Sequence, residues 1–111
     1  MDKKDKKEIL LELLKRSGQD VCDKYLMQDS YFYQALTDMC DLKQNYGEYL
    51  TTSPIDCDRE LERMPVADYE LCAALLTMLL REDHFNNGAF GRRLRSGDVR
   101  SIIERMIATL E

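Results

Sequence analysis

Apolar residues recur at helical spacing along almost the whole chain. No stretch alternates apolar and polar positions between turn signals, so the pattern predicts helices and offers no place for strands. A first helix is expected from about Lys3 to Arg16, with Ile9, Leu10, Leu13 and Leu14 in one stripe and Gly18 ending it in a left-handed cap. Asp20 can cap a short second helix that buries Val21, Cys22, Tyr25 and Leu26. A third is expected from Asp29 or Ser30 to about Tyr46, with Phe32, Leu36, Met39 and Cys40 on one side and Gly47 closing it. Ser53-Pro54 pairs a cap with proline at the first helical position and opens a short polar fourth helix, with Asp56 in its first turn, ending near Met64-Pro65.

The fifth segment, about 68–83, is different. Leu71, Cys72, Leu75, Leu76, Met78, Leu79 and Leu80 surround it almost completely, which marks a helix buried on most sides. A turn-rich stretch follows, with a short helix around Ala89 to Leu94. Phe85 and Phe90 are expected to tuck back as plugs at the bundle end, with Gly88 at the sharp turn and Gly97 as a cap. The last helix, from about Asp98 to Leu110, places Val99, Ile102, Ile103, Met106, Ile107 and Leu110 on one face. The expected fold is all-α: an irregular bundle of five to seven helices around the central hydrophobic helix, in one domain spanning residues 1–111. Length supports this, since 111 residues and 13.0 kDa provide one core without metal or disulfide staples.

Composition narrows the classes. The longest apolar run, Leu71 to Leu80 with Thr77 inside it, is half the length of about 20 residues needed to cross a bilayer. The amino terminus carries Asp2, Asp5, Glu8 and Glu12 where a signal peptide is apolar, so a cytoplasmic chain with no membrane association is expected. Cys22, Cys40, Cys57 and Cys72 show no Cys-x-x-Cys pair, and three of them sit beside apolar residues as small hydrophobes. Cys57, between Asp56 and Asp58, is the expected exposed one, with its thiolate disfavoured by its neighbours. Ligands scattered over separate helices give no signal for zinc, and neither a metal nor another cofactor is expected.

The net charge of −5 is uneven. Residues 1–16 carry six Lys/Arg against four Asp/Glu, whereas 17–58 carry two against eight. Lysine is absent after Lys43, and every later base is arginine. An acidic chain has no long-range attraction to nucleic acid.

One segment stands out. Arg81-Glu82-Asp83-His84-Phe85-Asn86-Asn87-Gly88 follows the central helix, then Ala89-Phe90 begins an amphipathic turn and Ser96-Gly97-Asp98-Val99 opens the last helix. Residues from about 66 to 111 resemble the carboxy-terminal part of an uncharacterised bacterial family known only as a domain of unknown function. The shared pattern is a basic-x-x-basic/His-Phe-x-x-Gly segment, a short helix, a glycine and an amphipathic last helix. The resemblance implies an all-helical fold and no established activity.

Three functions compete. The first is a small non-catalytic protein-interaction or regulatory module, binding a protein partner or a second copy of itself. Its candidate interface is Tyr31 and Tyr33, which cannot share one buried face with Phe32, together with Leu10 and Leu11 from the broad apolar band of the first helix. The second is a nucleic-acid or anion-binding regulator using Arg92, Arg93, Arg95 and Arg100 beside the Asn-Asn-Gly turn, with His84, Phe85, Asn87, Gly88 and Phe90 as further candidate contacts. The third is a hydrolase built on His84, the sole histidine, although no nucleophile motif accompanies it. The segment 81–98 also reads as a structural corner.

Overall fold

Every polar backbone group in a buried segment needs a partner, and a helix supplies them internally. The chain accordingly places its longest buried run, Cys72 to Leu80, inside one helix. A computed structural model describes residues 2–17 and 28–111. Six helices appear among them: α1 (Lys3–Ser17), α2 (Gln28–Asp38), α3 (Cys57–Leu61), α4 (Tyr69–Phe85), α5 (Ala89–Ser96) and α6 (Asp98–Leu110). Short 3-10 turns occupy Tyr46–Tyr49 and Met64–Val66, and no strand occurs in the described residues. The all-α expectation holds. The expected short helix at Val21, Cys22, Tyr25 and Leu26, and the Gly18 cap before it, lie outside the described residues.

Helix α4 is the central post. Asp68 caps it by accepting the Leu71 N–H at 2.8 Å. Helices α2, α3, α5 and α6 all pack against it, and α1 packs on α6. Leu75, Leu76 and Leu79 are fully buried, as are Ile102, Ile103 and Met106 of α6 and Leu10 and Leu13 of α1. The first helix thus covers its stripe within the chain. Leu10, expected at an interface, belongs to the core, while Leu11 remains 47% exposed. No helix among the described residues is long and apolar enough to cross a membrane.

The third predicted helix is shorter than its sequence pattern. Helix α2 ends at Asp38 because Cys40 adopts a positive φ of 60°. The Cys40 N–H then bonds to the Thr37 carbonyl and the Asp41 N–H to the Leu36 carbonyl, a six-to-one closure that usually employs glycine. This turn points Asp41 inward, where it accepts the Lys6 ammonium at 3.1 Å and the Tyr69 hydroxyl at 2.5 Å. Burial and the bond to Asp41 push the Tyr69 phenol far above its ordinary value. Cys40 is consequently exposed, whereas Cys57, expected at the surface, is half-buried.

The fourth helix also starts later than expected. Ser53 and Pro54 lie in a bend, and Asp56 rather than Ser53 is the cap, accepting the Arg59 N–H at 3.2 Å. The two glycine expectations hold: Gly88 (φ 88°) precedes α5 and Gly97 (φ 90°) separates α5 from α6. Gly88 has no side chain to cap α5, and Asp83 does so from α4, accepting the Phe90 N–H at 3.0 Å. Phe90 plugs the bundle as expected, its ring edge-on to Phe32 at 5.2 Å. Phe85 does the opposite and stands 89% exposed.

Truncating the centre of α4 leaves a cavity that close-packed helices on several sides cannot fill. Leu76→Ala is therefore expected to lower unfolding free energy by about 2–5 kcal/mol, read from urea or thermal melts. A melt equal to wild type would contradict the central placement of α4.

Candidate functional site

The last turn of α4, helix α3 and the loop before it enclose an open cleft of about 960 Å³. One buried carboxylate fixes the loop. Glu60 of α3 is fully buried and accepts the backbone N–H groups of Thr51 and Thr52 at 2.9 and 2.7 Å, with the Thr52 hydroxyl at 2.5 Å. Arg63 reaches Glu60 at 3.0 Å and the Tyr49 carbonyl at 2.8 Å. Burial alone would raise the Glu60 pKa, but these donors outweigh it and bring the carboxyl down to about 2.

A second polar cluster closes the floor. Arg93 of α5 makes two bonds to Glu82 of α4, at 3.0 and 2.9 Å. The same guanidinium reaches Asp58 of α3 at 2.7 Å and Asp98 of α6 at 3.0 Å. Bonding to Glu82, with Asp58 and Asp98, drives the Arg93 pKa upward and joins four helices through one side chain. The Cys57 thiol and Glu82 line the same cleft. Burial, then the Glu82 charge, push that thiol up to about 12, so it stays protonated at neutral pH.

Of the arginines expected to hold an anion, Arg93 is already committed to acids. Arg93 is only 16% exposed and engaged by three carboxylates. The groove of about 500 Å³ that it lines with Arg92 is also lined by Asp58, Glu82 and Asp98, which oppose an incoming anion. Arg100 pairs with Glu104 at 3.1 Å. Arg92 and Arg95 sit on the exposed side of α5. Phe90, named with them as a contact, is 2% exposed and belongs to the core.

His84, Asn87 and Gly88 are exposed, with Phe85 beside His84 in the same turn. Both acids next to His84 are engaged elsewhere, Glu82 with Arg93 and Asp83 with the Phe90 N–H. Neither is thereby left to orient the imidazole as a base. Tyr31 is 40% exposed with the Arg16 guanidinium 3.7 Å from its ring centroid, and Tyr33 is partly buried. Phe32 takes the core position between them, as the spacing requires. Among the described residues, no group of three or more His, Cys, Asp or Glu side chains could hold a metal ion.

Fold and cleft together define a small all-helical domain with an apolar-lipped, ion-paired hollow at one end of its central helix. The chain belongs to a family of unknown function (DUF6508), whose model matches residues 23–111. The match is longer than the resemblance read from the sequence, extending it back through α2 and α3. No curated protein and no solved structure matches the chain.

Two measurements check the site. Glu60 titrates below its ordinary value of 4.5, so its ionised form stabilises the fold above that pH and the contribution disappears as pH falls toward 2. The melting-temperature gap between wild type and Glu60→Gln is expected to be widest above pH 4.5 and to shrink toward pH 2; a gap that ignores pH contradicts the assignment. Alkylation at about pH 8, mapped by mass spectrometry, is expected to label exposed Cys40 well before Cys57 or buried Cys72. Faster labelling of Cys57 would refute its half-buried, protonated state.

Proposed function

We propose that the chain is a small non-catalytic protein-interaction module whose recognition surface is the cleft beside the last turn of α4. The observation that carries this reading is Phe85. An 89%-exposed phenylalanine at the lip of a concave cleft is apolar area held in water by the fold. Ile55, 45% exposed, lines the same cleft and widens the apolar lip. Aromatic side chains in such positions dominate binding energy once a partner covers them.

The polar groups beneath favour binding over chemistry. Arg93 and Glu82 are engaged with one another, and the Cys57 thiol is held in its unreactive form. Arg59 lies at the cleft with no ion pair among the described residues, which suits a partner presenting a carboxylate beside an apolar side chain. Nucleic-acid binding through the arginines of 92–100 is less favoured, because acids face the groove that Arg92 and Arg93 line. A cytoplasmic setting and self-association remain compatible with this reading, the latter without Leu10.

Because Phe85 contributes little to the core, Phe85→Ala should leave the melting temperature unchanged. Capture from extracts of the native cell, quantified by mass spectrometry, should lose the proteins retained by wild type by about tenfold or more. A Phe85→Ala chain that keeps every wild-type partner would overturn the proposal.

A further inference from the structure

We propose that the hollow between α2 and the last turn of α4 binds a phosphoryl group, held by Arg81 and His84 against a row of polar side chains on α2. This site shares Arg81 with the cleft but does not use Phe85, and it does not rest on the interaction reading.

The hollow measures about 420 Å³ and is lined by Ser30, Tyr33, Gln34, Thr37, Arg81 and His84. The α2 residues fall at positions i, i+3, i+4 and i+7, so they occupy one face of that helix. Arg81 and His84 are three apart on α4 and face them from the other wall. Among the described residues, no carboxylate lines this hollow, although the chain carries 21 acids against 16 Lys and Arg. In the Arg93 groove, by contrast, three carboxylates surround the base.

Three acids close in sequence to its walls are occupied. Glu82 holds Arg93, Asp83 caps α5, and Asp38 of α2 accepts the Gln34 amide at 2.9 Å. Arg81 makes no ion pair among the described residues, and its guanidinium sits 5.8 Å from the centroid of the Tyr33 ring, which steadies it without using its donors on an acid. Thr37 already donates to the Tyr33 carbonyl, leaving the Ser30 and Tyr33 hydroxyls as the polar complement on α2. An imidazole presents at least one N–H in either charge state, and a guanidinium presents several in a planar fork. Such a donor set, on two walls of an open hollow, matches the several oxygens and negative charge of a phosphoryl group.

His84 is the sole histidine, so its ring carbon–hydrogen NMR signal reports on this hollow with no overlap from another imidazole. Inorganic phosphate is titrated into the full chain at low ionic strength, with chloride at matched ionic strength as reference. A saturable shift of the His84 signal is expected, weakened about tenfold by Arg81→Gln and less by Arg81→Lys, which keeps the charge but loses the fork. Methyl signals of α4 confirm that each variant is folded. Capped phosphoserine forms a second arm. Saturation at lower concentration than phosphate assigns the site to a phosphorylated chain, and equal saturation assigns it to the free anion; both support a phosphoryl site. A His84 signal that moves no further than in chloride, or an Arg81→Gln chain that responds like wild type, would overturn the proposal. Phe85→Ala is expected to respond like wild type, which separates this test from that of the interaction surface.

Discussion

One guanidinium organises the end of the bundle where the last turn of α4 meets α3, α5 and α6. Arg93 joins α3, α4, α5 and α6 by meeting Asp58, Glu82 and Asp98 at 2.7 to 3.0 Å. Three carboxylates so close together would repel one another, and a cation among them converts that repulsion into attraction. Arg93 is 16% exposed and Glu82 18%, so water screens the pair less than it screens the surface pairs along α1 and α6. The arrangement also determines which bases remain available: with Arg93 committed, Arg59 and Arg81 are the cleft's arginines without a carboxylate partner among the described residues.

The core explains why so much chemistry gathers in one place. Nine consecutive residues of α4 are buried, so charge can enter that helix only at its ends. Its last turn consequently carries Arg81, Glu82, Asp83 and His84 in succession, followed by Phe85. Helical geometry sends them in different directions. Glu82 turns to Arg93, Asp83 to the start of α5, and Arg81 and His84 toward α2. Phe85 lies past the reach of the core and opens the cleft. The apolar lip and the hollow facing α2 are thus neighbouring outcomes of the same constraint, divided by Arg81, which lines both.

Much of the fold was legible because periodicity and caps are local. The stripes of α1 and α6, the all-round apolarity of α4, and Gly88 and Gly97 as left-handed breaks all follow from spacing and backbone freedom. Legibility failed where a local pattern had a rival resolved by distant residues. The helix after Ser30 could continue by pattern, but Asp41 is drawn inward to Lys6 and Tyr69, and Cys40 absorbs the turn in a conformation more usual for glycine. Ser53-Pro54 reads as a cap by its local pattern, yet the helix begins after Asp56. Phe85 and Phe90 look alike in sequence, yet the turn at Gly88 sends one to solvent and the other onto Phe32. The site was partly legible: the segment from Arg81 to Gly88 stands out by its pattern, but the ion pairs of Arg93 do not. Arg93 meets acids 5, 11 and 35 positions away, and no local spacing encodes that convergence. Glu60 was missed entirely: two of its donors are backbone N–H groups that any sequence supplies, and the Thr52 hydroxyl reaches it from eight positions away.

The central claim is that Arg93 acts in the architecture by way of Glu82 and is not a free ligand-binding base. A double-mutant cycle of Arg93→Met and Glu82→Gln, followed by urea unfolding, tests it most directly. A coupling of about 1.5–3 kcal/mol is predicted, the range for hydrogen bonds to charged groups. Effects that add within about 0.5 kcal/mol would show the two residues to be independent and contradict the account.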